Sequence, residues 1–201
     1  MLFVISGPSG CGKSTLVRHI LDELDSVEFS VSYTTREKRK TEKEGKDYFF
    51  ISQEEFKKLI QEDKLVEWAL VHGNYYGTSK RELEKKSGGE DLLLDIDVQG
   101  ARQIKEKVKK AVFVFILPPL FPELKKRLEQ RGQERKESIK RRLDVAKREI
   151  RQYYQFDYII INDQLDKAAE ELKAVILNQR CRTEIRKKEI IPILRSFSGE
   201  D

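Results

Sequence analysis

Short apolar runs and stretches of helical period alternate along the chain. Residues 2–6 read Leu-Phe-Val-Ile-Ser and lead into Gly7-Pro8, which predicts a buried strand closed by a turn. From Lys13 to Leu24 the apolar residues Leu16, Ile20, Leu21 and Leu24 recur at helical spacing. The alternation then returns: a strand over residues 91–96, a helix over 98–108, a strand over 111–117 stopped by Pro118-Pro119, helices over 121–130 and 137–153, a strand over 158–161, and one long helix over 165–189. Strands covered on both faces read as continuous apolar runs, so the pattern predicts an α/β fold with a mostly parallel sheet between helix layers.

The rhythm breaks between residues 32 and 78. That stretch holds the basic segment Thr35-Arg36-Glu37-Lys38-Arg39-Lys40, the aromatic run Tyr48-Phe49-Phe50, a short helical pattern over 53–60, and Val66-Glu67-Trp68-Ala69-Leu70-Val71 before a glycine-containing turn. It reads as an inserted lobe with its own β structure, giving a core over 1–33 and 79–201 and a lobe over 34–78. The polar, arginine-bearing link Arg131-Gly132-Gln133-Glu134-Arg135-Lys136 joins two helices and suggests a lid over about residues 128–141. Residues 196–201 read as a loose tail.

At 201 residues the chain has room for one such core with small insertions. Charged residues make up 37%, so the surface must be dense in ion pairs. The net charge of +5 suits either a small anionic substrate or nucleic acid. Lysines and arginines, however, alternate with acids, as in Lys105-Glu106-Lys107, and no nucleic-acid recognition motif accompanies them, so no nucleic-acid partner is expected. Cys11 and Cys181 have no metal-ligand or disulfide spacing, which points to a reducing compartment. No apolar run spans a bilayer and no leader pattern precedes the first strand, so a soluble, cytoplasmic protein without a membrane partner is expected.

Chemistry enters with Gly7-Pro8-Ser9-Gly10-Cys11-Gly12-Lys13-Ser14, a complete G-x-x-x-x-G-K-[ST] P-loop between a strand and a helix. Its glycines let backbone N–H groups turn toward phosphate oxygens at a helix N-terminus. Lys13 would reach the β- and γ-phosphates, and the Ser14 hydroxyl suits Mg²⁺, which wants oxygen ligands. Cys11 reads as a small filler residue. A P-loop does not name the phosphoryl acceptor. Arg36 and Arg39 with Tyr48 would surround a phosphate monoester, or form a solvated basic loop. Glu67 would accept from N1–H and the 2-amino group of guanine, or lie on a solvent face. Asp95 and Asp97 end a buried strand at the usual ligand edge; Asp97 also fits an N-cap.

Taken together these segments resemble the guanylate kinase family. The run Ser6-Gly7-Pro8-Ser9-Gly10-Cys11-Gly12-Lys13-Ser14-Thr15 is joined by Ser30-Val31-Ser32-Tyr33-Thr34-Thr35-Arg36, Gly45-Lys46-Asp47-Tyr48, Val66-Glu67-Trp68-Ala69, Tyr75-Tyr76-Gly77-Thr78, Asp95-Ile96-Asp97-Val98-Gln99-Gly100, Arg127-Leu128-Glu129-Gln130-Arg131-Gly132 and Ile161-Asn162-Asp163. The resemblance implies ATP-dependent, Mg²⁺-assisted phosphorylation of GMP and dGMP in purine metabolism. It implies that Ser32, Glu67 and Thr78 hold the guanine, and that Arg36, Arg39, Tyr48 and Tyr76 hold the GMP phosphate. Asp97 would stand near magnesium and the acceptor, with Ser14 as the other metal contact. Lys13, Arg39, Arg131 and Arg142 would surround the transferring group, Arg127 and Asn162 the ATP. The match ends near Leu177. Beyond it Ile190-Ile191-Pro192-Ile193-Leu194 fits packing on the core or a subunit contact, leaving monomer and homodimer both open. A non-catalytic scaffold of the same fold, or a kinase for another monophosphate, are the competing readings.

Overall fold

A computed structural model describes residues 1–84, 90–130 and 136–198, whose strands form two sheets. In the core sheet β1 (Leu2–Ser6) lies at the centre, between β7 (Asp91–Asp95) and β8 (Ala111–Leu117). β2 (Val27–Phe29) extends the sheet beyond β7, and β9 (Tyr158–Ile161) extends it beyond β8. All five strands run parallel, in the order β2-β7-β1-β8-β9.

The two-residue period of a strand sends alternate side chains of β1 into different layers. Phe3 and Ile5 enter a cluster with Leu16, Val17 and Ile20 of α1 (Lys13–Glu23) and Ala168, Leu172 and Ile176 of α7 (Leu165–Arg180). Leu2 and Val4 enter a second cluster with Ala101 and Ile104 of α4 (Val98–Lys107). Helices thus cover both faces, as a chain with continuous apolar strands requires. A satellite cluster joins α5 (Phe121–Gln130) to α6 (Lys136–Glu149) through Leu124, Leu128, Leu143 and Ala146.

The second sheet has the order β4-β3-β6-β5, from β3 (Tyr33–Thr34), β4 (Phe49–Phe50), β5 (Leu65–Val71) and β6 (Asn74–Ser79). It fits an inserted lobe, with Tyr33 and Ser79 just outside the expected bounds. α2 (Gln53–Gln61) starts on a capping box between Ser52 and Glu55, and its fully buried Phe56 stacks on Tyr75 at 5.2 Å. A short α3 (Lys80–Glu84) follows β6.

Three sequence expectations change. The helix expected over 137–153 is α-helical to Glu149 and then tightens into a 3₁₀ segment, Ile150–Gln155. The single helix expected over 165–189 is two, because α7 ends at Arg180 and α8 (Thr183–Ser198) begins anew. The break has a physical cause. The Cys181 N–H closes onto the Leu177 and Asn178 carbonyls, while the Arg180 guanidinium is held by Asp91 Oδ2 at 2.7 Å and by the Asp25 carbonyl at 3.0 Å. That pins the end of α7 to the foot of the core sheet. Residues 196–198, expected to be loose, continue α8. No helix among the described residues is long and apolar enough to cross a membrane.

Candidate active site

The loop from β1 to α1 is held from behind. Gly12 caps α1 at φ 99°, and a Cβ there would lie 2.2 Å from Asn162 Nδ2, so this position excludes side chains both by backbone angle and by space. Asn162 Nδ2 donates to the Cys11 carbonyl at 2.8 Å. Arg127 in turn donates from Nη1 to the Asn162 carbonyl at 2.9 Å and from Nε to Glu123 at 3.0 Å. Asn162 and Arg127 therefore brace the outside of the loop and do not line the cleft in front of it. Cys11 is fully buried in the core, and burial pushes its thiol pKa up, as for an inert filler.

On the open side, Lys13 Nζ folds over the loop and donates to the Gly7 carbonyl at 2.7 Å and more distantly to Pro8 at 3.5 Å. Burial works against its charge, but Cys11, Asp95, Glu149 and Asp97 together hold its pKa above the ordinary lysine value. Ser14 Oγ donates to Asp95 Oδ2 at 2.7 Å. Asp97 caps α4, its Oδ1 accepting from Gln99 N at 2.6 Å and Gly100 N at 3.1 Å. Desolvation raises the Asp97 pKa against those bonds and the Lys13 charge. Both aspartates line the cleft. Arg142 Nη2 reaches Ser9 Oγ at 2.5 Å, bringing α6 onto the loop. Glu149, at the end of the same helix, has its carboxyl pKa raised by burial, with Lys13 opposing.

Glu67 also lines the cleft and is only 2% exposed, although its neighbour Trp68 is 38% exposed. Strand alternation turns Glu67 inward, not to solvent. Desolvation lifts its pKa to about 7; hydrogen bonding from its cross-strand partner Thr78 opposes the shift, and Asp97 adds to it. Its Oε1 has no hydrogen-bond partner among the described residues. Ser32 and Thr78 hydroxyls lie 3.2 Å apart and buried. In the same lining, Arg36 donates to Glu42 through Nη1 at 2.9 Å and Nη2 at 2.8 Å, and the Arg39 N–H donates to the same carboxylate at 2.8 Å. Burial opposes the Arg36 charge, while Glu42 and Tyr76 raise its pKa. The guanidinium also sits 5.4 Å from the Tyr48 ring centre, and Tyr48 packs edge-on to Tyr76. Burial raises the Tyr48 pKa well above the usual phenol value, so it is a neutral hydroxyl at any physiological pH.

A single cleft of about 1040 Å³ joins these parts. It is lined by Gly7, Ser9, Gly10, Gly12, Lys13, Ser14 and Thr15 of the loop and helix start, by Arg36, Arg39, Tyr48 and Tyr76, and by Ser32 and Glu67, with Arg142 beside the loop. Pro8, Cys11 and Thr78 back the lining from within the same segments. Arg131, Arg135 and the lid residues between them lie outside the described residues. Three participants were not assigned from sequence: Asp95 as the partner of Ser14, Glu42 between the two arginines, and Glu149 against the loop. The spacing Arg36-x5-Glu42 carried a trace of the second. Nothing local signals the third, since it arrives from a helix more than a hundred residues away.

The description "Guanylate kinase" belongs to the family model that matches residues 1–179. A guanylate kinase of Geobacter sulfurreducens is 52% identical over 184 residues, covering 91% of each chain. One from Caldanaerobacter subterraneus subsp. tengcongensis is 43% identical over 199 residues, covering 98% of this chain and 96% of the relative. The crystal structure of guanylate kinase from Anaplasma phagocytophilum superposes with a TM-score of 0.76 at 34% identity, covering 91% of this chain and 87% of that one. A phosphate-binding loop and a buried carboxyl in one cleft, on this fold and with these relatives, have one common explanation: the chain belongs to the guanylate kinase family of nucleoside monophosphate kinases.

Proposed function

We propose that the chain transfers the γ-phosphoryl group of ATP to the phosphate of GMP or dGMP, with Mg²⁺, giving ADP and GDP or dGDP. An oxygen of the acceptor phosphate attacks the γ-phosphorus in line, and the bond to the ADP oxygen breaks. The observation that carries this reading is Glu67. It is a buried carboxyl with an oxygen unpartnered among the described residues, in the same cleft as a P-loop lysine. Guanine offers two donors on one edge, and adenine would leave that oxygen unpaired. Ser32 and Thr78 would assist at the base. Arg36, Arg39, Tyr48 and Tyr76 would hold the acceptor phosphate. Lys13, Arg39, Arg142 and Arg131 would neutralise charge on the transferring group. Arg127 and Asn162 would serve ATP by fixing the loop that cradles its phosphates. GMP and dGMP share every group these contacts address. Residues 34–78 would act as the acceptor lobe on a core of 1–33 and 79–201, with the lid over about 128–141 excluding water.

The residues at the loop fit magnesium. Ser14 and Asp95 present adjacent oxygen donors, with Asp97 nearby, and no group of three or more His, Cys, Asp or Glu gathers among the described residues. Such a sparse oxygen set suits an ion that keeps water and phosphate as most of its ligands. When bound, the ion supplies neutralisation of charge on the β- and γ-phosphates. Purine nucleotide metabolism in the cytoplasm is the setting these substrates imply. The test is a coupled assay of ADP release with GMP, dGMP, AMP, CMP and UMP as acceptors. GMP and dGMP should dominate; a preference for AMP would remove Glu67 and Ser32 from their roles.

A further inference from the structure

Glu67 is held on its strand by a helix of the other sheet's layer. Gly100, Gln103 and Lys107 stand at i, i+3 and i+7 of α4, hence on one stripe of it. Each meets β5 beside Glu67. Gln103 clamps the Trp68 peptide from both sides, Oε1 accepting from its N–H at 3.2 Å and Nε2 donating to its carbonyl at 2.7 Å. Lys107 Nζ donates to the Val66 carbonyl at 2.5 Å. Val66 needs that donor because the β5–β6 register slips there: Leu65 pairs with Ser79 and Glu67 with Thr78, so Val66 has no opposite number. Its side chain drops into the core cluster with Ala101 and Ile104 of the same helix. Gly100 completes the set by absence, since a Cβ there would fall 2.4 Å from Glu67 Oε2 and 3.1 Å from its Cδ.

We propose that the Gly100–Gln103–Lys107 stripe of α4 is the mounting that sets the Glu67 carboxylate and thereby the enzyme's choice of base, although none of the three residues lines the cleft. The two peptide groups flanking Glu67 are fixed to the core helix, and the bare first turn of that helix leaves the carboxylate its space. These are positioning residues, acting through Glu67. The inference rests on the reading that Glu67 pairs with guanine.

GMP and IMP, whose base lacks the 2-amino group, are titrated as acceptors at saturating ATP, with the KM for ATP measured alongside. The enzymes are wild type, Glu67→Gln, Gln103→Leu, Gly100→Ala, and each of the last two combined with Glu67→Gln, all checked by thermal melts. Gln103→Leu and Gly100→Ala should each raise the KM for GMP roughly tenfold, the scale of a spoiled charge-assisted hydrogen bond, and narrow the preference for GMP over IMP by a similar factor. The KM for ATP should stay within about twofold. In the Glu67→Gln background neither change should narrow the preference further, because coupled positions are not additive. If Glu67→Gln loses the preference while Gln103→Leu and Gly100→Ala keep it, or if they narrow it equally in both backgrounds, the mounting is overturned and the guanine reading stands. If Glu67→Gln keeps the preference, the guanine reading falls and takes the mounting with it. Should Gly100→Ala fail to fold, Gln103→Leu, at a half-exposed position, decides alone.

Discussion

Replacing Glu67 by glutamine should make the protein more stable and a worse enzyme. The carboxyl is 2% exposed, and desolvation lifts its pKa from 4.5 to about 7. A group that holds its proton more tightly when folded favours the folded state at low pH. That advantage is complete below about 4.5 and is lost as pH rises through about 7. Above neutrality the native protein carries a buried charge that the unfolded chain would solvate. The shift corresponds to about 3 kcal/mol. Glutamine keeps the shape without the charge, so Glu67→Gln should gain about 3 kcal/mol at pH 8 and little at pH 5. For a chain of this size that is a rise in Tm of roughly 6–12 °C at pH 8. Thermal melts of both proteins without nucleotide, from pH 5 to pH 8, read the difference directly. The GMP titration at pH 8 should move oppositely, because an amide offers only one acceptor where the ion offers two. A Tm difference that is the same at pH 5 and pH 8, or a variant less stable at pH 8, would refute the reasoning.

Lys13→Ala should lower turnover roughly a thousandfold or more while leaving the melt close to wild type, since the lysine works on phosphate charge and not in the core; activity within tenfold of wild type would exclude the role. With a thiol reagent, the native protein should label rapidly at exposed Cys181 alone, and Cys11 should react only on unfolding; two fast equivalents would contradict the buried loop cysteine. Truncation after Arg182 removes α8, which buries no residue, so Tm should change by less than about 2 °C and GMP-dependent ADP release should persist; a collapse of either would give α8 a structural duty.

The core was legible because its signals are local. The apolar runs of β1, β7 and β8 and the glycine loop each declare themselves within ten residues. β2 and β3 are three and two residues long, too short for any period to register. The break at Cys181 was hidden because the charged helical pattern simply continues, and what ends α7 is Arg180 finding Asp91 across the fold. The site divides in the same way. Lys13, Ser14 and the two arginines of the lobe follow from residue type and spacing. The burial of Glu67 follows from strand alternation once the inward face is known, which the chain alone does not reveal. The pairing of Ser14 with Asp95, the approach of Glu149 and the close pass of Gly100 depend on strand order and helix docking, and no window of sequence contains them.

If Arg36 and Arg39 seat the acceptor phosphate as proposed, the carboxylate of Glu42 would be a resident counter-ion there. An arriving dianion would then trade places with, or crowd against, a charge already satisfied by two guanidinium-bearing residues, instead of meeting bare cations. Capture of simple inorganic anions gains little from such an exchange, and bulk ionic strength has less to screen. On that reading a ligand that also anchors at Glu67 would tip the exchange, and the seat would select phosphate attached to the right base over phosphate alone.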